Sequence, residues 1–91
     1  MGNDVILQGY IEVPKGSLDA VLRELPIHIR LTLQEQGCLE FEVAQMPDNP
    51  CRFSVYERFK DRASFEAHQL RTADSKWAKI TGAATRDYRV T

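Results

Sequence analysis

Two alternating runs around a turn in mid-chain restrict this sequence more than any other feature. Cys38 to Gln45 sets Leu39, Phe41 and Val43 against Glu40 and Glu42. Cys51 to Phe59 sets Phe53, Val55 and Phe59 against Arg52, Ser54, Tyr56 and Arg58. A period of two marks strands with one apolar and one polar face. Met46-Pro47-Asp48-Asn49-Pro50 between them is built of turn formers, so the two runs form a hairpin. The pattern predicts Phe41 facing Val55 and Val43 facing Phe53, which sets Glu57 across from Leu39. A one-residue slip would oppose apolar to polar side chains along the whole length.

The flanking segments complete an α+β order. Val5 to Val13 reads as a strand, with Val5, Leu7, Ile11 and Val13 on one face, and Pro14-Lys15-Gly16 breaks it. Ser17 is placed as an N-cap, with Asp19 in the first turn favourable to the helix dipole. Leu18, Val21, Leu22, Leu25, Ile29 and Leu33 form a helical stripe, kinked at Pro26 and ended near Glu35 or Gln36 by Gly37. Asp61 caps a second helix through about Arg71, which the pattern continues through Ser75 to Ile80 before Gly82 ends it. Ala84 to Val90 is a last strand. The order β-α-β-β-α-β predicts a ferredoxin-like protomer, an antiparallel sheet with helices on one face. The other face, carrying Ile6, Tyr10 and Tyr56, is then expected to be covered by a partner.

Length bounds the rest. Ninety-one residues are expected to make one domain, residues 1–91, with its core between about 5 and 90. Twelve basic against thirteen acidic residues leave a net charge of −1, which carries no electrostatic footprint for nucleic acid. Apolar runs fall far short of the ~20 residues of a membrane span. Met1-Gly2-Asn3-Asp4 lacks the basic and long apolar segments of a leader, and Ile6 stands where a myristoylation signal needs Ser or Thr. Cys38 and Cys51 lie about seven strand residues apart in the hairpin, roughly 23 Å, too far for a disulfide. Two free thiols fit a cytoplasmic protein.

Glu57 breaks the hairpin's pattern. It falls in phase with Phe53, Val55 and Phe59 on the apolar face, so its carboxyl is either desolvated with a raised pKa or paired with a buried cation, unless it reaches solvent or an ion pair at the strand end. His68 shares one side of the second helix with Phe65 and Thr72, while Ala63, Ala67 and Leu70 share the other; either side fits the sheet. If the Phe65 side faces inward, His68 and Glu57 form an acid/base pair in an apolar pocket; otherwise His68 is a structural side chain. His28 sits at the edge of the first helix's stripe, and Trp77 is either core or the wall of a flat ligand's site. No HxxxH or CxxC spacing points to a metal, and no glycine-rich or flavin fingerprint points to a cofactor.

These residues resemble the antibiotic biosynthesis monooxygenase family and its small quinol-monooxygenase-like members. The resemblance runs from Gly9 to about Tyr88, on GYIEVPKG, His28, Glu35-Gln36-Gly37-Cys38-Leu39, Asp48-Asn49-Pro50, Tyr56-Glu57, Asp61, Phe65 and His68. Gln36 departs from the proline usual in that family, a helix-end change that says little about chemistry. The resemblance implies a dimeric α+β barrel, a homodimer, oxidising a small aromatic or quinol-like substrate with O₂ and no cofactor or metal. In that reading Glu57 or His68 is the base, His28 orients a substrate oxygen, and Phe53, Phe65 and Trp77 wall the pocket. Other relatives degrade heme or act on phosphorylated signalling sugars without oxidation. An isomerase or related non-oxidative enzyme acting on a small hydroxyketone with the same His and Glu, and a non-catalytic ligand-binding dimeric module, are the alternatives. Heme degraders place a Trp before the ligating His, whereas here His68 precedes Trp77.

Overall fold

A computed structural model describes residues 3–91; Met1 and Gly2, on which the leader and myristoylation readings partly rest, lie outside the described residues. Four strands, β1 (Val5–Glu12), β2 (Cys38–Met46), β3 (Asn49–Phe59) and β4 (Thr85–Val90), form one antiparallel sheet in the order β2-β3-β1-β4. Helices α1 (Leu18–Leu33), α2 (Arg62–Ala73) and α3 (Lys76–Ile80) complete the ferredoxin-like topology. The inward side chains Val5, Leu7, Ile11, Phe53, Val55 and Phe59 pack with Val21 and Leu25 of α1, Phe65 of α2 and Trp77 of α3. Burying a side chain of this kind contributes about 1.5–3 kcal/mol, so this layer is the fold's main apolar support.

The hairpin keeps the expected faces but not the expected partners. Phe41 pairs with Glu57, Val43 with Val55 and Gln45 with Phe53, two residues away from the predicted register. The turn closes on Pro47 and Asp48 alone, Met46 opposing Asn49, and a bulge then absorbs Pro50, Cys51 and Arg52 of β3. Pro50 has no N–H to offer the ladder. Its carbonyl accepts instead from Gln45 Nε2 at 2.8 Å, and Asn49 Oδ1 accepts from the Cys51 amide at 3.1 Å. A two-residue shift preserves side-chain parity, so Glu57 stays on the inner face opposite Phe41 rather than Leu39. Leu39 sits at a second irregularity and is exposed.

The helices differ from expectation in three ways. Ser17 stands before α1, but its side chain caps nothing; a 3₁₀ turn over Lys15–Ser17 leads into the helix, which runs through Pro26 to Leu33. The buried face of α1 is Val21, Glu24, Leu25, His28 and Thr32, while Leu22 and Leu33 are exposed. Thr32 joins that face because its hydroxyl donates to the His28 carbonyl at 2.8 Å. The second helix does not continue to Ile80. Ser75 Oγ donates to the Thr72 carbonyl at 2.6 Å and accepts from the Ala78 amide at 3.2 Å, ending α2 and capping α3. Asp61 caps α2 as expected, accepting from the Ser64 amide at 2.8 Å.

Cys38 and Cys51 are free thiols. On the helix-free face of the sheet Ile6, Tyr10 and Tyr56 are half-buried, with the Arg52 guanidinium 4.0 Å from the centre of the Tyr10 ring. Among the described residues no helix is long and apolar enough to cross a membrane.

Candidate active site

Between the sheet and the helices lies a cavity of about 280 Å³. Leu7 and Ile11 of β1, Phe41 of β2, Val55 of β3 and Trp77 of α3 make its apolar walls. Into it project three titratable groups from three different elements: Glu57 of β3, His68 of α2 and His28 of α1. Arg86 and Tyr88 of β4 line it as well.

Glu57 is 7% exposed, and its Oε1 has no hydrogen-bond partner among the described residues. Alternation along β3 forces this position inward, where Leu7 and Phe41 flank it in the neighbouring strands. Burial, reinforced by the negative charge of Glu35, pushes the Glu57 carboxyl up to about 7. His68 is 2% exposed, and its Nε2 lies 3.7 Å from Glu57 Oε1. It reaches this place because α2 turns its Phe65 side to the sheet, leaving Leu70 in solvent. Burial holds the His68 imidazole below its ordinary value, against the pull of Glu35, and the Arg71 charge acts in the same direction as burial.

His28 is not at the edge of the apolar stripe but inside it. Its ring stacks on Trp77 with centroids 4.9 Å apart and planes 4° from parallel, and meets Phe41 edge-on at 5.4 Å. Burial lowers its pKa to about 4, helped by His68 and Arg71, so the imidazole is neutral at physiological pH. Tyr88 is pushed up to about 12 by burial, with Arg86 opposing the rise and Glu57 adding to it.

Of the residues expected in the pocket, His28, Glu57, His68 and Trp77 meet there. Phe53 and Phe65 do not. Phe53 is 1% exposed beneath the helices, and Phe65 packs edge-on against Phe59 at 5.9 Å. Both belong to the apolar core beside the cavity and do not line it. Phe41 supplies an aromatic wall instead. Tyr88 lines the cavity, and Glu35, paired with Arg71, holds His68 from outside it. The sequence assigns none of the three a role, although Glu35 stands in the motif that carries the family resemblance. Arg71 was within reach, since it lies one helical turn from His68. Glu35 follows the end of α1, where no periodicity applies.

The cavity thus brings a carboxyl that titrates near neutrality against two neutral imidazoles in apolar surroundings. It can accept a proton from an acidic hydroxyl and offer hydrogen bonds to the oxygen left behind. Among the described residues no cluster of three or more His, Cys, Asp or Glu is placed to hold a metal ion.

Residues 4–79 match the sequence profile of the antibiotic biosynthesis monooxygenase family. No curated protein matches the chain. Among solved structures, MupZ from Pseudomonas fluorescens superposes with a TM-score of 0.80 at 22% identity, over 99% of this chain and 68% of its own. A structure named antibiotic biosynthesis monooxygenase superposes with a TM-score of 0.77 at 22% identity, over 97% of this chain and 92% of that one. A conserved protein from Methanosarcina mazei Go1 gives 0.73 at 19% identity, over 97% and 90%. At such identities the likeness is one of fold. The profile match, which begins just before β1 and runs into α3, carries more: the chain belongs to the antibiotic biosynthesis monooxygenase family.

Proposed function

We propose that this protein is a monooxygenase that oxidises a small phenol or quinol with O₂ and without a resident cofactor. The observation that carries the reading is the unpartnered Glu57 carboxyl, 3.7 Å from His68 Nε2 inside an apolar cavity. The ionised Glu57 carboxyl takes the hydroxyl proton of the bound quinol and shares it with His68 Nε2, which stores it as the imidazolium, and the ring anion so formed passes one electron to O₂. Recombination of the resulting radicals forms a carbon–oxygen bond at the ring. The peroxide takes back the stored proton, and loss of the hydrogen on the same ring carbon as a proton drives the O–O bond apart. The departing oxygen leaves with both protons as one water per O₂, and the ring is left as a hydroxyquinone. Exclusion of solvent keeps the anion reactive, and the neutral His28 imidazole hydrogen-bonds the substrate oxygen. A cavity of about 280 Å³ is at the small end for ligand sites and favours a substrate of one or two rings.

In this reading the working protein is a homodimer in the cytoplasm, its second subunit covering Ile6, Tyr10 and Tyr56 on the helix-free face. Turnover under ¹⁸O₂ tests the reaction. One labelled oxygen in the product and one in water is the expected result. Turnover of a hydroxyketone without O₂ consumption would replace this reading with proton-transfer isomerisation by the same pair.

A further inference from the structure

His68 is held from both sides. Its Nδ1 lies 2.9 Å and 3.2 Å from the two carboxylate oxygens of Glu35, while Nε2 faces Thr72 Oγ1 at 3.4 Å and Glu57 Oε1 at 3.7 Å. Glu35 is ion-paired with Arg71, whose Nη2 also donates to Thr32 Oγ1 at 3.0 Å. An ionised carboxylate can only accept a hydrogen bond, so the Nδ1 contact requires the proton on Nδ1. In the neutral imidazole Nε2 is then bare, free to accept from the Thr72 hydroxyl and to face Glu57.

Every element packed on the ring contributes a neighbour. His28 comes from α1 with ring centres 6.1 Å apart, Phe41 from β2 at 5.6 Å, and Glu57 and Phe59 from β3. Arg71 and Thr72 come from α2 itself, and Glu35 from the segment after α1. Of these groups only Glu35 hydrogen-bonds Nδ1, and it does so from outside the cavity. Its carboxylate opens onto a separate surface groove with Lys60 and Ser64. It therefore reaches the substrate only through His68.

We infer that Glu35 is a positioning residue for proton transfer: it pins His68 in the Nδ1–H tautomer, turns the bare Nε2 toward Glu57 and the cavity, and stabilises the imidazolium formed when His68 takes a proton. The inference rests on the proposed roles of Glu57 and His68. The logic is that of a histidine base oriented by a carboxylate behind it. Arg71 limits the effect by sharing the same carboxylate.

Imidazole ¹⁵N NMR of the ligand-free protein tests this without any assay of turnover. Wild type should show His68 protonated on Nδ1 alone. Glu35→Leu should admit the Nε2–H tautomer, and both Glu35→Leu and Glu35→Gln should titrate His68 at lower pH than wild type. A wild-type ring protonated on Nε2, or a titration midpoint unmoved in the variants, overturns the inference. If Glu35→Leu does not fold, the Glu35→Gln midpoint decides alone. In turnover, Glu35→Gln should lose about 10–100-fold in kcat with KM little changed; wild-type kcat in that variant contradicts the role. A wild type that turns over no phenol overturns the proposed reaction, and the nitrogen signals still decide the positioning.

Discussion

Glu57 Oε1 and His68 Nε2 stand 3.7 Å apart, brought together from β3 and α2 across an apolar cavity. The separation is longer than a hydrogen bond and leaves Glu57 Oε1 open to a substrate hydroxyl, while Nε2 also faces the Thr72 hydroxyl at 3.4 Å. A base of this kind works best when its pKa lies near the working pH, and burial has moved Glu57 to about 7.

The rate should therefore rise with pH through about 7 and level off above it, as Glu57 loses its proton. His68→Ala should lower kcat/KM about 10²-fold, the usual scale for a lost acid or base, while keeping that rise. A steady-state pH profile of both proteins checks this, and a profile with no inflection near neutrality contradicts it.

Stability should depend on pH in opposed ways. The folded protein keeps a proton on Glu57 up to about pH 7, whereas in the unfolded chain it leaves near 4.5. Raising the pH through that window therefore costs stability, and the cost is complete above pH 7. His28 acts in the reverse sense: the unfolded chain binds its proton below 6.5, the folded protein only below about 4, so stability is lost as pH falls. Over the shared window the two slopes largely cancel, leaving His68, lowered in the same sense as His28, to weaken the fold toward acid. Glu57→Gln removes one slope. That variant should exceed wild type above pH 7 by at most roughly 3 kcal/mol and lose stability more steeply toward acid. Denaturant unfolding from pH 5 to 8 measures both, and parallel curves would sink the account of Glu57.

Trp77 is the single tryptophan and lies flat against His28 on the cavity wall. A phenolic ligand entering the cavity should change its fluorescence saturably, and Trp77→Phe should abolish the signal. Fluorescence titration with a non-oxidisable phenol checks this; an emission spectrum unmoved by a ligand whose binding calorimetry detects would place the site elsewhere.

Sedimentation should give a particle of about twice 10.4 kDa at micromolar concentration. A folded monomer would contradict the proposed dimer and leave Tyr10 and Tyr56 without their cover.

Strand parity made much of this legible. The alternation of Phe53, Val55 and Phe59 put Glu57 on the inner face, and the phase of Phe65 offered His68 the same side. Register was not legible, because it depends on how Pro50 and Cys51 are accommodated after a two-residue turn, and a shift of two leaves the pattern unchanged. His28 was misjudged for a related reason. Hydrophobic phase centres α1 on its leucines, but the face that α1 buries is set by the rings of Trp77 and Phe41, distant in sequence. Phe53 and Phe65 show the limit on walls: an inward aromatic residue can fill the core or line a cavity, and burial does not tell them apart, since Phe65 and the wall residue Phe41 are equally buried. Glu35 shows the limit on irregular segments: it stands in a motif of the family resemblance, but no periodicity links it to His68, 33 residues later.

Oxygen uptake by wild type and Glu57→Gln, with a panel of hydroquinones and a metal chelator present, decides whether Glu57 is the base of an oxygen-consuming reaction. Wild-type uptake should stand well above the autoxidation blank and fall about 10²-fold in Glu57→Gln, whose fold is retained. Uptake that is equal in the two proteins, or no greater than the blank for every hydroquinone, would contradict that role.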